Sequence, residues 1–225
     1  MIKEWMPDEL AYAGPEHLDA AFVAGYDRKQ GRPDPAEDIA AFQAHGLDAG
    51  STIVDLAAGT GQFARAAAGA FGRVTAVDVS PAMLDVLATV PGIGVVRGGF
   101  LSYTPAEPVE GVFTRNALHQ LPDFFKAIAL TRIAAMLRPG GVLRVRDLIY
   151  DFAPQETDEI FDGWFAGASS DAAAGYTAQD YIEHIRTEFS TFRWLFEPML
   201  TAAGFTIVDV TYERRLYGAY TCIRA

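Results

Sequence analysis

Short, nearly uncharged apolar runs alternate with amphipathic segments along most of this chain, the pattern of strands and covering helices. The first run is Ser51-Thr52-Ile53-Val54-Asp55-Leu56, and it ends in Ala57-Ala58-Gly59-Thr60-Gly61. Helical spacing follows over 62–70, then a valine-rich strand over 73–79. Ser80-Pro81 starts a helix that runs to about residue 88, with proline at its first position. Residues 93–97 and 111–115 read as the third and fourth strands, the third broken by Gly98-Gly99. A long helix over 123–137 closes at Arg138-Pro139-Gly140-Gly141, and 142–149 is the fifth strand. Helical patterns then occupy 155–168, 178–186 and 192–203. Two strand-like runs, 205–212 and 217–223, end the chain, with Glu213-Arg214-Arg215 at the bend between them.

Upstream, Leu18, Ala21, Phe22 and Gly25 fall at helical spacing after Pro15. Gly31-Arg32-Pro33-Asp34-Pro35 is a turn, and Ile39, Ala40, Phe42 and Gln43 begin a second helix. Alternating strands and helices predict an α/β fold with a parallel sheet covered on both faces. The link between the last two strands is too short for a crossover helix, so they pair antiparallel. The expectation is a doubly wound, mostly parallel, seven-stranded Rossmann-like sheet with a reversed last strand. One domain spans 1–225: a helical N-terminal cap over 1–50, a ligand-binding core over 51–150, a helical insertion or lid over 151–190, and a C-terminal helix and strand pair over 191–225.

Composition narrows the function. Hydrophobic residues make up 50% of the 225, enough for a buried core. A net charge of -11 repels polyanions, so a nucleic-acid partner is not expected. The one cysteine, Cys222, excludes a disulfide framework and a cysteine-rich zinc site and reads as a small buried residue in a late strand. Neither a signal peptide nor a run of membrane-spanning length is visible, so a cytoplasmic protein without a membrane partner is expected, as monomer or homodimer. His17, His45, His119 and His184 are scattered, and no metal set is expected. The chain has no G-x-S-x-G elbow, and its glycine turn lacks the Gly-Lys-Ser/Thr ending of a phosphate loop.

The turn after the first strand carries the chemistry. Gly59 and Gly61 let the backbone bend sharply and approach a ligand, and the following helix offers free N–H groups. Gly59, Gly61 and Ala64 formally match the dinucleotide fingerprint G-x-G-x-x-G/A, which keeps an NAD(P)-dependent oxidoreductase open. Asp55 at the strand end favours a cationic ligand over a pyrophosphate. Asp78, about 20 residues beyond the turn, is placed to accept ribose hydroxyls.

In this order, Val54-Asp55-Leu56-Ala57-Ala58-Gly59-Thr60-Gly61, Val77-Asp78-Val79-Ser80-Pro81-Ala82-Met83-Leu84, Asn116-Ala117-Leu118-His119-Gln120-Leu121-Pro122-Asp123 and Leu137-Arg138-Pro139-Gly140-Gly141-Val142-Leu143 resemble the motifs of class I S-adenosylmethionine-dependent methyltransferases. The resemblance runs over about 52–224. It implies a transferase that moves a methyl group from S-adenosyl-L-methionine to an O, N or C atom of a small-molecule metabolite. A non-methylating S-adenosylmethionine-binding protein on the same fold is the other alternative. The cofactor-binding residues it implies are Tyr26, Asp55, Ala57, Gly59, Gly61, Asp78, Val79, Met83, Gly99, Phe100, Asn116 and Ala117. The family often carries an acid after the third strand that accepts from the adenine amino group. Here Gly99 stands in that place, leaving the Gly99 and Phe100 backbone and the Phe100 side chain to hold adenine.

His119 is the candidate catalytic residue, a base at the mouth past the fourth strand, or else a histidine that hydrogen-bonds the loop or cofactor. Arg146, Asp147, Tyr150 and His184 are weaker substrate candidates, and the aromatic residues of the insertion region read mainly as packing.

Overall fold

The computed structural model describes residues 4–30 and 34–225. Gly31, Arg32 and Pro33 of the expected turn lie outside the described residues, as do the side chains of Pro15 and Ala21. The cap consists of α1 (Glu9–Tyr12), α2 (Ala20–Lys29) and α3 (Ala36–Ala44). The core follows as β1 (Thr52–Leu56), α4 (Gln62–Ala67), β2 (Arg73–Asp78), α5 (Pro81–Leu87), β3 (Ile93–Arg97), β4 (Val109–Arg115), α6 (Asp123–Met136) and β5 (Leu137–Tyr150). Then come α7 (Thr157–Ala166), α8 (Ala178–Thr187), β6 (Thr191–Phe192), α9 (Arg193–Ala202), β7 (Phe205–Glu213) and β8 (Tyr217–Arg224).

The main sheet has the order β3-β2-β1-β4-β5-β8-β7. β1 to β5 pair in parallel, and β8 runs antiparallel to both β5 and β7. Seven strands were expected. The eighth, β6, is two residues that pair in parallel with Ile149 and Tyr150 of β5. β5 itself begins at Leu137 rather than Val142, because the ladder with β4 continues through a bulge between Val109 and Gly111.

Period-2 alternation divides the core between the two faces. Val54 and Leu56 of β1 pack with Leu130, Ile133, Leu143 and Val145 under α6. Ile53 faces the other side, with Phe42, Leu47, Phe63 and Phe71. Asp55 shares that second face, which turns it toward α4. A third cluster of Leu148, Tyr150, Phe152, Trp164 and Leu216 joins the insertion to the end of β5. Phe196 is buried in the main core, whereas Trp194 is exposed. Helix starts follow local chemistry. Ser80 caps α5 by accepting from the Met83 N–H at 3.2 Å, and Thr177 with Asp180 forms a capping box on α8.

The cap is bolted to the sheet by charge. Arg144 on β5 is fully buried and its Nε donates to Asp38 Oδ1 at 2.8 Å, while Arg146 Nε reaches the same oxygen at 2.6 Å. Arg146, a substrate candidate from sequence, is thus committed to Asp38 and Glu37 on α3.

Candidate functional site

Strand order reverses between β1 and β4, so their carboxyl ends open the crevice where open α/β sheets bind ligands. Both strand ends carry a left-handed residue that is not glycine: Ala57 at φ 62° after β1 and Asn116 at φ 48° after β4. Such strain persists only where surrounding structure enforces it, and it gathers at binding sites. Gly59 (φ 54°) and Gly61 (φ 81°) complete the β1 turn. A Cβ on Gly59 would lie 3.6 Å from the Tyr26 ring. A Cβ on Gly61 would lie 2.0 Å from Leu87 Cδ2. The missing side chain at Gly61 thus makes room for α5, a constraint that acts whether or not a ligand approaches its backbone.

Two carboxylates flank this turn. Asp55 Oδ2 accepts the Ala64 N–H at 3.1 Å, and burial, with a contribution from Asp78, pushes its pKa up to about 8. Asp78 accepts from Gly59 N and Ser80 N, each at 2.8 Å, and burial also raises its pKa. No lysine or arginine among the described residues forms an ion pair with either.

Helix α2 roofs the turn. Asp27 accepts from Thr60 Oγ1 and, at 3.0 Å, from Gln62 Nε2. Tyr26 receives a hydrogen bond from Gln30 at 3.1 Å, and burial beside Asp78 pushes its pKa up to about 12. Ser80 Oγ donates to the His17 carbonyl at 2.7 Å.

The other expected cofactor contacts fall partly in the core and partly beside a second cavity. Met83, Phe100 and Ala117 are buried, with Phe100 and Ala117 in the main core. The Phe100 side chain is core packing in this state, and the Ala117 N–H is given to Asp147 at 3.1 Å. Val79 lines a smaller cavity of about 470 Å³ together with Glu9, Arg97, Gly98, Leu101 and Ser102. Glu9 was missed from sequence. Its Oε1 accepts the Leu101 N–H at 2.8 Å and its Oε2 accepts from Ser102 Oγ at 2.7 Å. A Cβ on Gly99 would lie 2.4 Å from Glu9 Oε1 and 2.7 Å from Val79 Cγ1. Burial raises the Glu9 pKa despite these hydrogen bonds. A carboxylate from α1 thus stands where a side chain at 99 would project. The contact spans 92 residues of sequence, so no local signal could have revealed it.

Past β4 a cavity of about 1210 Å³ opens between cap, sheet and insertion. Its walls include Asn116, His119, Asp147, Tyr181, His184 and Glu188. His119 sits on the turn Leu118–Gln120, its Nδ1 2.5 Å from Asp147 Oδ1 and its Nε2 2.8 Å from Glu188 Oε2. Asp147 also accepts the N–H groups of Ala117, Leu118 and Leu148. Burial opposes charge on His119, but the Asp147 carboxylate and then Glu188 outweigh it and raise the pKa to about 9. The two carboxylates thus favour the cationic imidazole, and His119 can act as a base only after it has given up that proton. Against burial, His119 holds Asp147 down, and His119 with His184 holds Glu188 down.

His184 Nδ1 is also 2.8 Å from Glu188 Oε2, and the two imidazoles are 4.9 Å apart. The expectation of scattered histidines is corrected: folding brings two of them, 65 positions apart in sequence, onto one carboxylate. The spacing of His184 and Glu188 at i,i+4 was the available signal.

The turn region suits a ligand bearing positive charge and hydroxyl donors: Asp55 and Asp78 are buried beside it without a lysine or arginine partner among the described residues, and a cation would draw out their ionised forms where a pyrophosphate would not. A family model described as a methyltransferase domain matches residues 53–141. An uncharacterized methyltransferase of Anoxybacillus flavithermus is 25% identical over 167 residues, 73% of this chain and 74% of the relative. The complex of the Haloferax volcanii Trm112 methyltransferase activator with a methyltransferase contains a chain of the same fold, with TM-score 0.69, 16% identity, and 93% and 97% of the two chains covered. Magnesium protoporphyrin IX methyltransferase from Synechocystis, solved with S-adenosylmethionine bound, shares the fold at TM-score 0.65 and 13% identity over 99% of this chain and 100% of that one.

Proposed function

Because the chain is a class I S-adenosylmethionine-dependent methyltransferase, we propose that its acceptor is a small molecule held in the cavity beside His119. When bound, the cofactor supplies an electrophilic methyl group on a sulfonium centre. Asp78 receives the ribose hydroxyls, and Asp55 with the Ala57–Gly61 turn balances the cationic amino-acid end. Glu9 accepts from the adenine amino group in place of the residue at 99. Asn116 lies between the two compartments, on a strained backbone at the mouth of the acceptor cavity.

The acceptor walls are aromatic on the insertion side, with Trp164 stacked on Tyr181 at 4.2 Å, and Arg115 supplies positive charge among the lining residues. These groups suit a compact molecule with a flat or apolar body and a polar end. Alignment does most of what such a displacement requires, so the rigid frame around His119 is the relevant asset. Support for a metabolite over a nucleic acid comes from the net charge of -11.

The observation that carries this reading is the pair of buried carboxylates, Asp55 and Asp78, at adjacent strand ends beside the glycine turn. Calorimetry with S-adenosylhomocysteine and with NAD tests it. Binding of the former alone is the expected result. Binding of NAD in its place overturns the reading, whichever acceptor is later found.

A further inference from the structure

Three donor atoms converge at the inner wall of the acceptor cavity. His119 Nε2 and His184 Nδ1 both lie 2.8 Å from Glu188 Oε2, and the ligand atoms of all three residues fall within 4.8 Å of one another. The opposite nitrogen of each ring is anchored. His119 Nδ1 is 2.5 Å from Asp147, and His184 Nε2 is 2.8 Å from Ser190 Oγ. That leaves each ring aimed by a partner behind it, the arrangement that orients metal-binding imidazoles.

The carboxylate oxygen at the centre is buried, and no contact to it has hydrogen-bond geometry. A cation set among the three groups would give this buried oxygen the partner it lacks. The scaffold is fixed on both sides. The Phe189 N–H donates to the His119 carbonyl at 2.7 Å, and Lys126 Nζ donates to the Phe189 carbonyl.

We propose that His119, His184 and Glu188 bind a divalent first-row transition-metal ion, with its remaining coordination positions open to the cavity for an oxygen atom of the acceptor. Two imidazoles and one carboxylate suit zinc, iron, cobalt or manganese better than magnesium or calcium, which prefer all-oxygen shells. Bonds of roughly 2.0–2.2 Å hold tetrahedral donors about 3.3–3.6 Å apart, so the two 2.8 Å carboxylate contacts would open and the imidazole nitrogens, within 4.8 Å of each other, would settle to that separation. The ion would also tie α8 to the turn after β4, joining insertion to core across the cavity. The metal site stands on its own geometry; the identity of its open-face ligand rests on the methyl-acceptor reading above.

Cobalt(II) titration of the chelator-treated full chain, followed by visible absorption and by dialysis with elemental analysis, tests the site without cofactor or acceptor. One equivalent of cobalt with a ligand-field band is expected. Glu188→Gln and His184→Ala should each lose it, and His45→Ala should keep it. Asp147→Asn should weaken binding by about 10–100-fold, as for other partners that orient a ligating histidine. Sub-stoichiometric uptake by the wild type, or equal uptake by wild type and both ligand variants, overturns the proposal and leaves a proton-bridged ion-pair cluster. Failure of S-adenosylhomocysteine binding would instead strike the cofactor reading and leave the metal result untouched.

Discussion

The Glu9 carboxylate fills the space into which a side chain at Gly99 would project, 2.4 Å from where that Cβ would stand. A residue of the N-terminal cap therefore occupies the place of a side chain following β3. If it accepts from the 6-amino group of adenine, the wild type should prefer S-adenosylhomocysteine over its 6-oxo inosine analogue. Loss of a charged hydrogen bond is worth about 1.5–3 kcal/mol, roughly 10-fold or more in affinity. Glu9→Ala should erase that preference, and Gly99→Asp added to Glu9→Ala should restore part of it as Val79 shifts aside. An unchanged preference in Glu9→Ala, measured by calorimetry, removes Glu9 from the cofactor site.

Gly61 is constrained by its backbone and by Leu87 with no ligand present. Alanine there combines a left-handed backbone, unfavourable by about 1–2 kcal/mol, with overpacking against Leu87 of a further 1–3 kcal/mol or so. Gly61→Ala should unfold at lower denaturant with no ligand present. Pairing it with Leu87→Ala should recover the overpacking part, read as a coupling energy in the double-mutant cycle. Strict additivity of the two variants would show that the contact is not the cause.

Asp38 holds two arginines, one of them wholly buried. Removing Asp38 leaves buried Arg144 only the exposed Glu37, 3.2 Å away, and breaking a buried pair costs up to about 3–5 kcal/mol. Asp38→Ala should lose stability on that order in urea titration, and Arg144→Met with Asp38→Leu should lose much less. A loss below about 1 kcal/mol in Asp38→Ala would mean that water reaches Arg144.

Stability should fall as pH rises. Burial lifts Asp55 from its ordinary value of 3.8 to about 8, so the folded chain holds a proton that the unfolded chain has released. Its stabilising contribution is complete below the unfolded value and is lost as pH climbs through the folded one. The slope approaches about 1.4 kcal/mol per pH unit at most. Asp55→Asn keeps an acceptor for Ala64 N–H and should flatten the decline between about pH 5 and pH 8. Parallel curves for variant and wild type would assign the slope to other groups.

The parallel core was legible because its strands are apolar on both faces and separated by glycine, proline and capping signals, as at Ser80-Pro81. The reversed β8 followed from the short link after Glu213. Thr191 and Phe192 were not legible as a strand, since two residues carry no alternation and their pairing depends on where the insertion lets the chain return. Asp55, Gly59 and Asp78 stood out because they are close in sequence to the turn they serve. Glu9, Asp147 and Glu188 act through partners on other elements, and only folding supplies those distances. Gly61 shows the converse limit: a correctly singled-out glycine whose neighbour, Leu87, no motif names.

The hydrogen bonds from Thr60, Gln62 and Ser80 to the cap give the crevice a latch rather than an open door. If the cofactor lies under α2, its residence time should lengthen with the strength of that latch, and Asp27→Ala should shorten it.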